Sequence, residues 1–260
     1  MTRTIYAIGI GTGGLHQLTL EAIDALGRLN AVLVADKGEA KSDLVELRRQ
    51  VLATHAPQRP TVIEVPDPER GDDASRDRAA YETAVRDWHA ARVAAYAERI
   101  AALPENATVG FLVWGDPAFY DSTLRIIDAI AQQLPVDVRV IAGISAPQAL
   151  AAAHRIPLNA IGRSIHITTG RRLVAEYSPG LGDVVVMLDG HLRCLELIEH
   201  HGDLQIYWGA YLGSAHEALI AGRLREVADQ LRTTRAALRD AHGWIMDTYL
   251  LRSAGVPAAG

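Results

Sequence analysis

The sequence predicts an α/β protein of two domains, and three observations carry that expectation. Up to about residue 160, β-branched runs with few polar positions alternate with segments of helical spacing, the texture of strands buried on both faces of a parallel sheet. After "HRIPLNAIGRS" the texture changes, and strand-like runs follow one another with fewer long helices between them. A chain of 260 residues with 49% hydrophobic content can also bury two modest cores.

In chain order, 4–9, 31–35, 61–65, 108–114 and 136–141 read as strands. Segments 19–29, 41–54, 77–103, 121–133 and 145–155 carry apolar residues at helical spacing, so the crossovers are helices and the first domain is a doubly wound, mostly parallel sheet. Segment 65–103 opens as a Pro/Asp/Gly loop before its long Ala- and Arg-rich helix. It reads as an insertion at the C-terminal edge of the third strand, the edge where parallel sheets bind ligands. Pro157, Asn159 and Gly162 suit a break, which sets the domains at 1–158 and 159–260. In the second domain 164–169, 183–188, 204–211 and 243–250 read as strands of a mixed sheet, and "SAGVPAAG" as a frayed tail.

A formal net charge of −5, without a long run of Lys or Arg, leaves no electrostatic footprint for nucleic acid or an anionic membrane surface. The single cysteine, Cys194, excludes an intramolecular disulfide and a thiolate zinc cage, and reads as a small core residue of a cytoplasmic protein. His200 and His201 lack a partner at metal-ligand spacing and read as a helix end, with no metal implied. The start of the chain lacks the apolar core of a signal peptide, and no apolar run is long enough to cross a bilayer.

Gly9, Gly11 and Gly14 spell G-x-G-x-x-G after the first strand, and Asp36 ends the second strand about 20 residues further on, as a ribose-binding acid of a nicotinamide dehydrogenase would. Against a pyrophosphate site, "LHQ" separates Gly14 from Thr19, a plausible N-cap, so the helix starts late. An anion there needs the helix N-terminus at the glycine turn itself. The fourth strand ends on Gly115, Asp116 and Pro117. The fifth ends on Gly143 and opens a helix with Ser145 as N-cap, Pro147 in the first turn and Gln148 at the capping-box position. Free N–H groups at that helix start could take a carboxylate, or simply cap a helix.

"GIGTGGLHQLTLEA", "WGDPAFY", "AGISAPQALAA" with "IPL", and "VVVMLDG" follow in the order and spacing of the tetrapyrrole methylases, and the chain resembles that family over nearly its whole length. Within it, "LVADKGEAK", "RAAYETAVRDWHAAR" and "HGWIMDTYLLR" resemble the branch that methylates precorrin-5 at C-1 and releases acetate. The resemblance implies an S-adenosylmethionine-dependent C-methyltransferase of cobalamin biosynthesis, built as two α/β domains with a ligand cleft between them, and a homodimer. It implies cofactor contacts at Trp114, Gly115, Asp116, Phe119, Ser145, Ala146, Met187, Tyr211 and Leu212. For a carboxylate-rich tetrapyrrole substrate it suggests Gly14, Tyr120, Arg171 and Arg172, with Arg76 and Arg78 on the inserted segment. The family commonly has Pro and Asp at the positions of Thr12 and Gly14, so Gly14, His16 and Gln17 are a departure suited to a more heavily methylated ring. Alternatives are another precorrin or uroporphyrinogen III methyltransferase, the dehydrogenase, and a non-catalytic tetrapyrrole binder.

Overall fold

The computed structural model describes residues 2–36, 42–68 and 78–253, with the side chains at 36, 42–45, 78–82, 84 and 85 outside the description. Two compact units emerge: Met1–Gly11 with Leu15–Ile144, and Thr12–Gly14 with Ser145–Gly260. Among the described residues no helix is long and apolar enough to cross a membrane.

The first unit is a parallel sheet of five strands in the order β3-β2-β4-β1-β5. These are β1 Arg3–Gly9, β2 Ala31–Asp36, β3 Thr61–Pro66, β4 Thr108–Val113 and β5 Val136–Ile141, close to the runs the sequence predicts. Helices α1 (Leu20–Leu26) and α2 (Ser42–His55) cover one face, packing Leu26, Val51 and Leu52 on Ile8 and Val32. Helices α3 (Arg78–Ala101) and α4 (Thr123–Ala131) cover the other, packing Tyr96, Ile100 and Ile127 on Ile5 and Phe111. β1 and β4 are neighbours, and their C-terminal loops leave toward opposite faces. The crevice of this sheet therefore lies where those two strands end.

The second unit is a mixed sheet in the order β6-β7-β10-β8-β9, with β6 (Ile165–Thr169) parallel to β7 (Asp183–Met187). β10 (Asp247–Arg252) runs antiparallel to β7 and to β8 (Gln205–Ala210), and β8 antiparallel to β9 (Ala218–Arg223). One face is covered by α6 (Gly170–Glu176), α7 (Ile198–His201) and α8 (Leu224–His242) over a core of Trp208, Tyr249, Leu173 and Leu231. Cys194 lies in this core as expected, and burial pushes its thiol up to about 12. His200 and His201 close α7, as a helix end should.

Helix α5 (Ala146–His154), which the sequence assigned to the first domain, clusters with the second. A Cβ on Gly209 would stand 2.9 Å from a Leu150 methyl, and the His154 ring bonds the Trp208 carbonyl at 2.9 Å. By contacts the second unit thus takes in Ser145 onward, where the sequence reading sets the boundary at 158. β9 and the 19-residue α8 were not anticipated, and β10 starts at Asp247, not 243, because Gly243 caps α8 in the left-handed region.

Candidate functional site

In the first unit the site grows from three strand ends. Gly11 turns with φ +75°, its N–H donates to the Gly115 carbonyl at 3.2 Å, and the Gly115 N–H donates back at 2.7 Å. Residues Leu15–Gln17 then form a single 3-10 turn, and α1 begins at Leu20 with the Thr19 hydroxyl accepting the Ala22 N–H at 3.1 Å. The glycine turn is thus closed by partners of its own, and the helix starts well past Gly14. That is not the pyrophosphate geometry of a dinucleotide fold, in which the helix N-terminus meets the glycines.

Asp116 joins the turns after β4 and β5. Its Oδ2 accepts the Gly143 N–H and its Oδ1 the Ala118 N–H, both at 2.8 Å. The approach is close enough that a Cβ on Gly143 would stand 2.2 Å from the Gly115 oxygen and 2.7 Å from the Gly9 Cα, so only glycine fits. Around this knot Trp114 packs against the α1–α2 core, Phe119 is half-buried with its N–H on the Asp116 carbonyl, and Tyr120 is exposed with φ +49°.

In the second unit the sequence-predicted residues gather at one edge of the sheet. Gln148 Oε1 accepts both the N–H and the hydroxyl of buried Ser145, at 2.9 and 2.8 Å, fixing the start of α5 at Ala146. Contacts of Leu150 with Gly209 and of His154 with Trp208 run α5 against β8, its N-terminus toward the strand end at Tyr211. Tyr211 is left-handed, with its N–H on the Met246 carbonyl and its hydroxyl on that of Trp244. The Thr12 hydroxyl donates to the Leu212 carbonyl at 3.0 Å, which ties Thr12–Gly14 to that turn. Met187 and Gly209 both pair with Thr248, so the ends of β7 and β8 flank the start of β10, about 10 Å apart at two strand spacings.

Arg171 and Arg172 are exposed on α6, which starts at this edge. Arg172 pairs with Glu176, whose carboxylate also accepts the Thr168 hydroxyl at 2.6 Å. That hydroxyl first, then Arg172, holds the Glu176 carboxyl down to about 2. A guanidinium so occupied suits positioning of α6 better than capture of substrate. Arg76 lies outside the described residues, as do the side chains of Asp36 and Arg78. Among the described residues no group of three or more His, Cys, Asp or Glu could hold a metal.

Sequence reasoning missed Asp189. It is buried beyond Met187, and its carboxylate accepts the His191 and Arg193 N–H groups at 3.1 and 2.7 Å and the Tyr249 hydroxyl at 2.5 Å. Its place in "VVVMLDG" was visible, but its partners come from β10 and the following turn.

The sequence profile of the Tetrapyrrole (Corrin/Porphyrin) Methylases matches residues 4–228. A Sinorhizobium protein named precorrin-6A synthase (deacetylating) is 41% identical over 254 residues, covering 96% of this chain and 95% of that one. The crystal structure of a cobalamin synthesis related protein (CobF) from Corynebacterium diphtheriae superposes with a TM-score of 0.81 at 42% identity, over 97% of this chain and 99% of that one. The uroporphyrin-III C-methyl transferase of Thermus thermophilus, complexed with S-adenyl homocysteine, shares the fold with a TM-score of 0.57 at 17% identity, over 96% and 92% of the two chains.

Proposed function

The chain belongs to the tetrapyrrole (corrin/porphyrin) methylases, and we propose that it transfers a methyl group from S-adenosylmethionine to C-1 of precorrin-5, with release of acetate, in cobalamin biosynthesis. The observation that carries this reading is the near-full-length likeness to a precorrin-6A synthase (deacetylating). The closed turn at Gly11 supports it against the dehydrogenase.

The residues present fit an adenosyl group. Met187 is partly exposed at one sheet edge, the capped start of α5 points toward that edge, and in the first unit the turn at Gly115 carries no side chain. S-adenosylmethionine would supply an electrophilic methyl, which a carbon nucleophile takes in line as the sulfur leaves in the neutral thioether S-adenosylhomocysteine. Catalysis then consists chiefly of alignment and exclusion of water. Trp114, Gly115, Asp116 and Phe119 would hold the group in the first unit, and Ser145, Ala146, Met187, Tyr211 and Leu212 in the second. Asp116, with both oxygens accepting backbone N–H groups, keeps the cofactor turn in shape. Arg171 and Tyr120 are exposed and suited to substrate carboxylates and to the macrocycle edge, with Gly14 giving it room. The protein works in the cytoplasm as a homodimer, which light scattering tests.

Titration calorimetry tests the cofactor: micromolar binding of S-adenosylhomocysteine and none of NADH is expected, and the reverse removes the proposal. Turnover of precorrin-5 with equimolar acetate then separates this activity from other precorrin methylation and from mere binding.

A further inference from the structure

Two histidines far apart in sequence meet at the sheet edge of the second unit. β10 runs antiparallel to β8, so the turn after β8, residues 211–217, and the segment that leads from α8 into β10 share that edge. His216 sits in the turn and His242 in the last turn of α8, with ring centroids 4.2 Å apart. The Tyr211 ring stands against both, 5.3 Å from His242 and 6.4 Å from His216.

Backbone bonds hold each ring in place. The His216 N–H donates to the Ser214 hydroxyl oxygen at 3.1 Å, and the Gly213 N–H to the Glu217 carboxylate at 2.7 Å. The Ser214 and Glu217 N–H groups close the same turn on the Tyr211 and Ser214 carbonyls, at 3.0 and 3.2 Å. His242 is set by Gly243, which ends α8 in the left-handed region with its N–H on the Arg239 carbonyl at 2.8 Å. The Tyr211 hydroxyl donates to the Trp244 carbonyl and ties the two segments together. His216 is exposed and His242 half-buried, so the outer imidazole is open to water and the inner one backs it. The loop of Thr12–Gly14 lies against this turn as well, since a Cβ on Gly13 would stand 3.1 Å from the Leu212 oxygen and 3.2 Å from the Ser214 Cβ.

Release of acetate requires a base that methyl transfer alone does not. The hydroxyl of a water adds to the acyl carbon, the bond from that carbon to the macrocycle breaks, and its electron pair stays with the ring, which takes the methyl. The other proton of the water goes to the base, and the acid formed leaves as acetate with its proton passed to solvent. An imidazole takes and gives a proton near neutral pH, whereas the Tyr211 hydroxyl already donates to a carbonyl. We propose that His216 is a catalytic residue, the base that takes the proton of the attacking water, with His242 stacked behind it as a positioning residue. This rests on the acetate-releasing reading above and adds the acid–base group that the reaction requires.

The experiment gives precorrin-5 and S-adenosylmethionine to wild type, His216→Asn and His216→Ala and follows acetate and S-adenosylhomocysteine, beside S-adenosylhomocysteine calorimetry and urea unfolding. Both variants should release acetate about 100-fold more slowly, with affinity within about twofold of wild type and an unchanged urea midpoint. S-adenosylhomocysteine formation should fall in step, because one electron pair serves both events. Added imidazole should restore part of the His216→Ala rate, which it would not do for a structural loss. Acetate release within about fivefold of wild type in both variants overturns the proposal, as does a fall in affinity or stability that accompanies the loss of rate, or a loss that imidazole does not relieve. Methyl transfer at the wild-type rate without acetate overturns it too. A wild type that binds S-adenosylhomocysteine but frees no acetate from precorrin-5 overturns the acetate-releasing reading, and this inference with it.

Discussion

Replacing Asp116 separates two roles a carboxylate at this turn could play. Both oxygens accept backbone N–H groups at 2.8 Å, one from Ala118, which is exposed, and one from Gly143, which is partly buried. Water can replace the carboxylate at Ala118, so that bond contributes little. A hydrogen bond to a charged acceptor is worth about 1.5–3 kcal/mol, and the Gly143 N–H, held against Gly115 and Gly9, cannot turn elsewhere for a partner. Asp116→Ala should therefore lose about 1.5–3 kcal/mol of stability in urea unfolding, and Asp116→Asn less, since its one carbonyl oxygen keeps one of the two bonds. The affinity for S-adenosylhomocysteine should fall along with the stability, because the same turn carries Gly115 and Phe119. If Asp116→Asn instead kept the wild-type midpoint and affinity but lost turnover, the carboxyl would be a proton carrier and the reasoning from its bonds would be wrong.

Three further outcomes follow from the second unit. Arg252 and Asp183 form a buried pair at 2.9 Å, with the Arg252 guanidinium also on the Pro157 carbonyl at 2.8 Å. Arg252→Ala should therefore cost about 3–5 kcal/mol in chemical denaturation, and a loss under 1 kcal/mol would show the pair to be dispensable. With its thiol raised to about 12 by burial, Cys194 should resist a disulfide reagent at pH 8 in the native protein and react once urea unfolds it; rapid native labelling would contradict the burial. Glu176 titrates near 2 when folded against an ordinary 4.5, so between those values the unfolded chain binds a proton that the native state excludes. The stability it confers is complete above pH 4.5 and is lost as pH falls toward 2. Glu176→Gln should flatten that acid limb of the urea midpoint, and an unaltered limb would count against the Thr168 and Arg172 bonds.

The first sheet was legible because its central strands are buried on both faces, which leaves β-branched runs with little polar interruption. β9 was not, for the opposite reason. It is an edge strand in which Ile220 alone is fully buried, and "ALIAGR" runs directly into α8, so its alternation blurs into a helical period. That period was present at Leu224, Ala228, Leu231 and Arg235, although the arginine masks the stripe: it lies buried because Asp247 accepts from it at 2.8 Å. The place of α5 was hidden more deeply. Its cap could be read from Ser145 and Gln148, but which sheet it covers depends on Gly209 and Trp208, far along the chain.

The same distinction governs the candidate site. Gly9, Gly115 and Gly143 can each be seen in sequence as strand ends, yet the requirement for glycine at Gly9 and Gly143 comes from their contact with each other and with the Gly115 carbonyl, while Gly115 turns with φ +68°. Asp116 can be read in sequence as a carboxylate at a strand end that holds the turn, but the two N–H groups it accepts, from Ala118 and Gly143, cannot. Leu188 and Tyr211 carry no sequence mark of a left-handed turn, because the residues that hold them there, Asp189 and Met246 among them, act through buried bonds from other strands and turns. Local chemistry in this chain thus announces where the backbone turns. What holds each turn in place is decided by partners tens of residues away, as the Thr12 hydroxyl on the Leu212 carbonyl and the Tyr249 hydroxyl on Asp189 show.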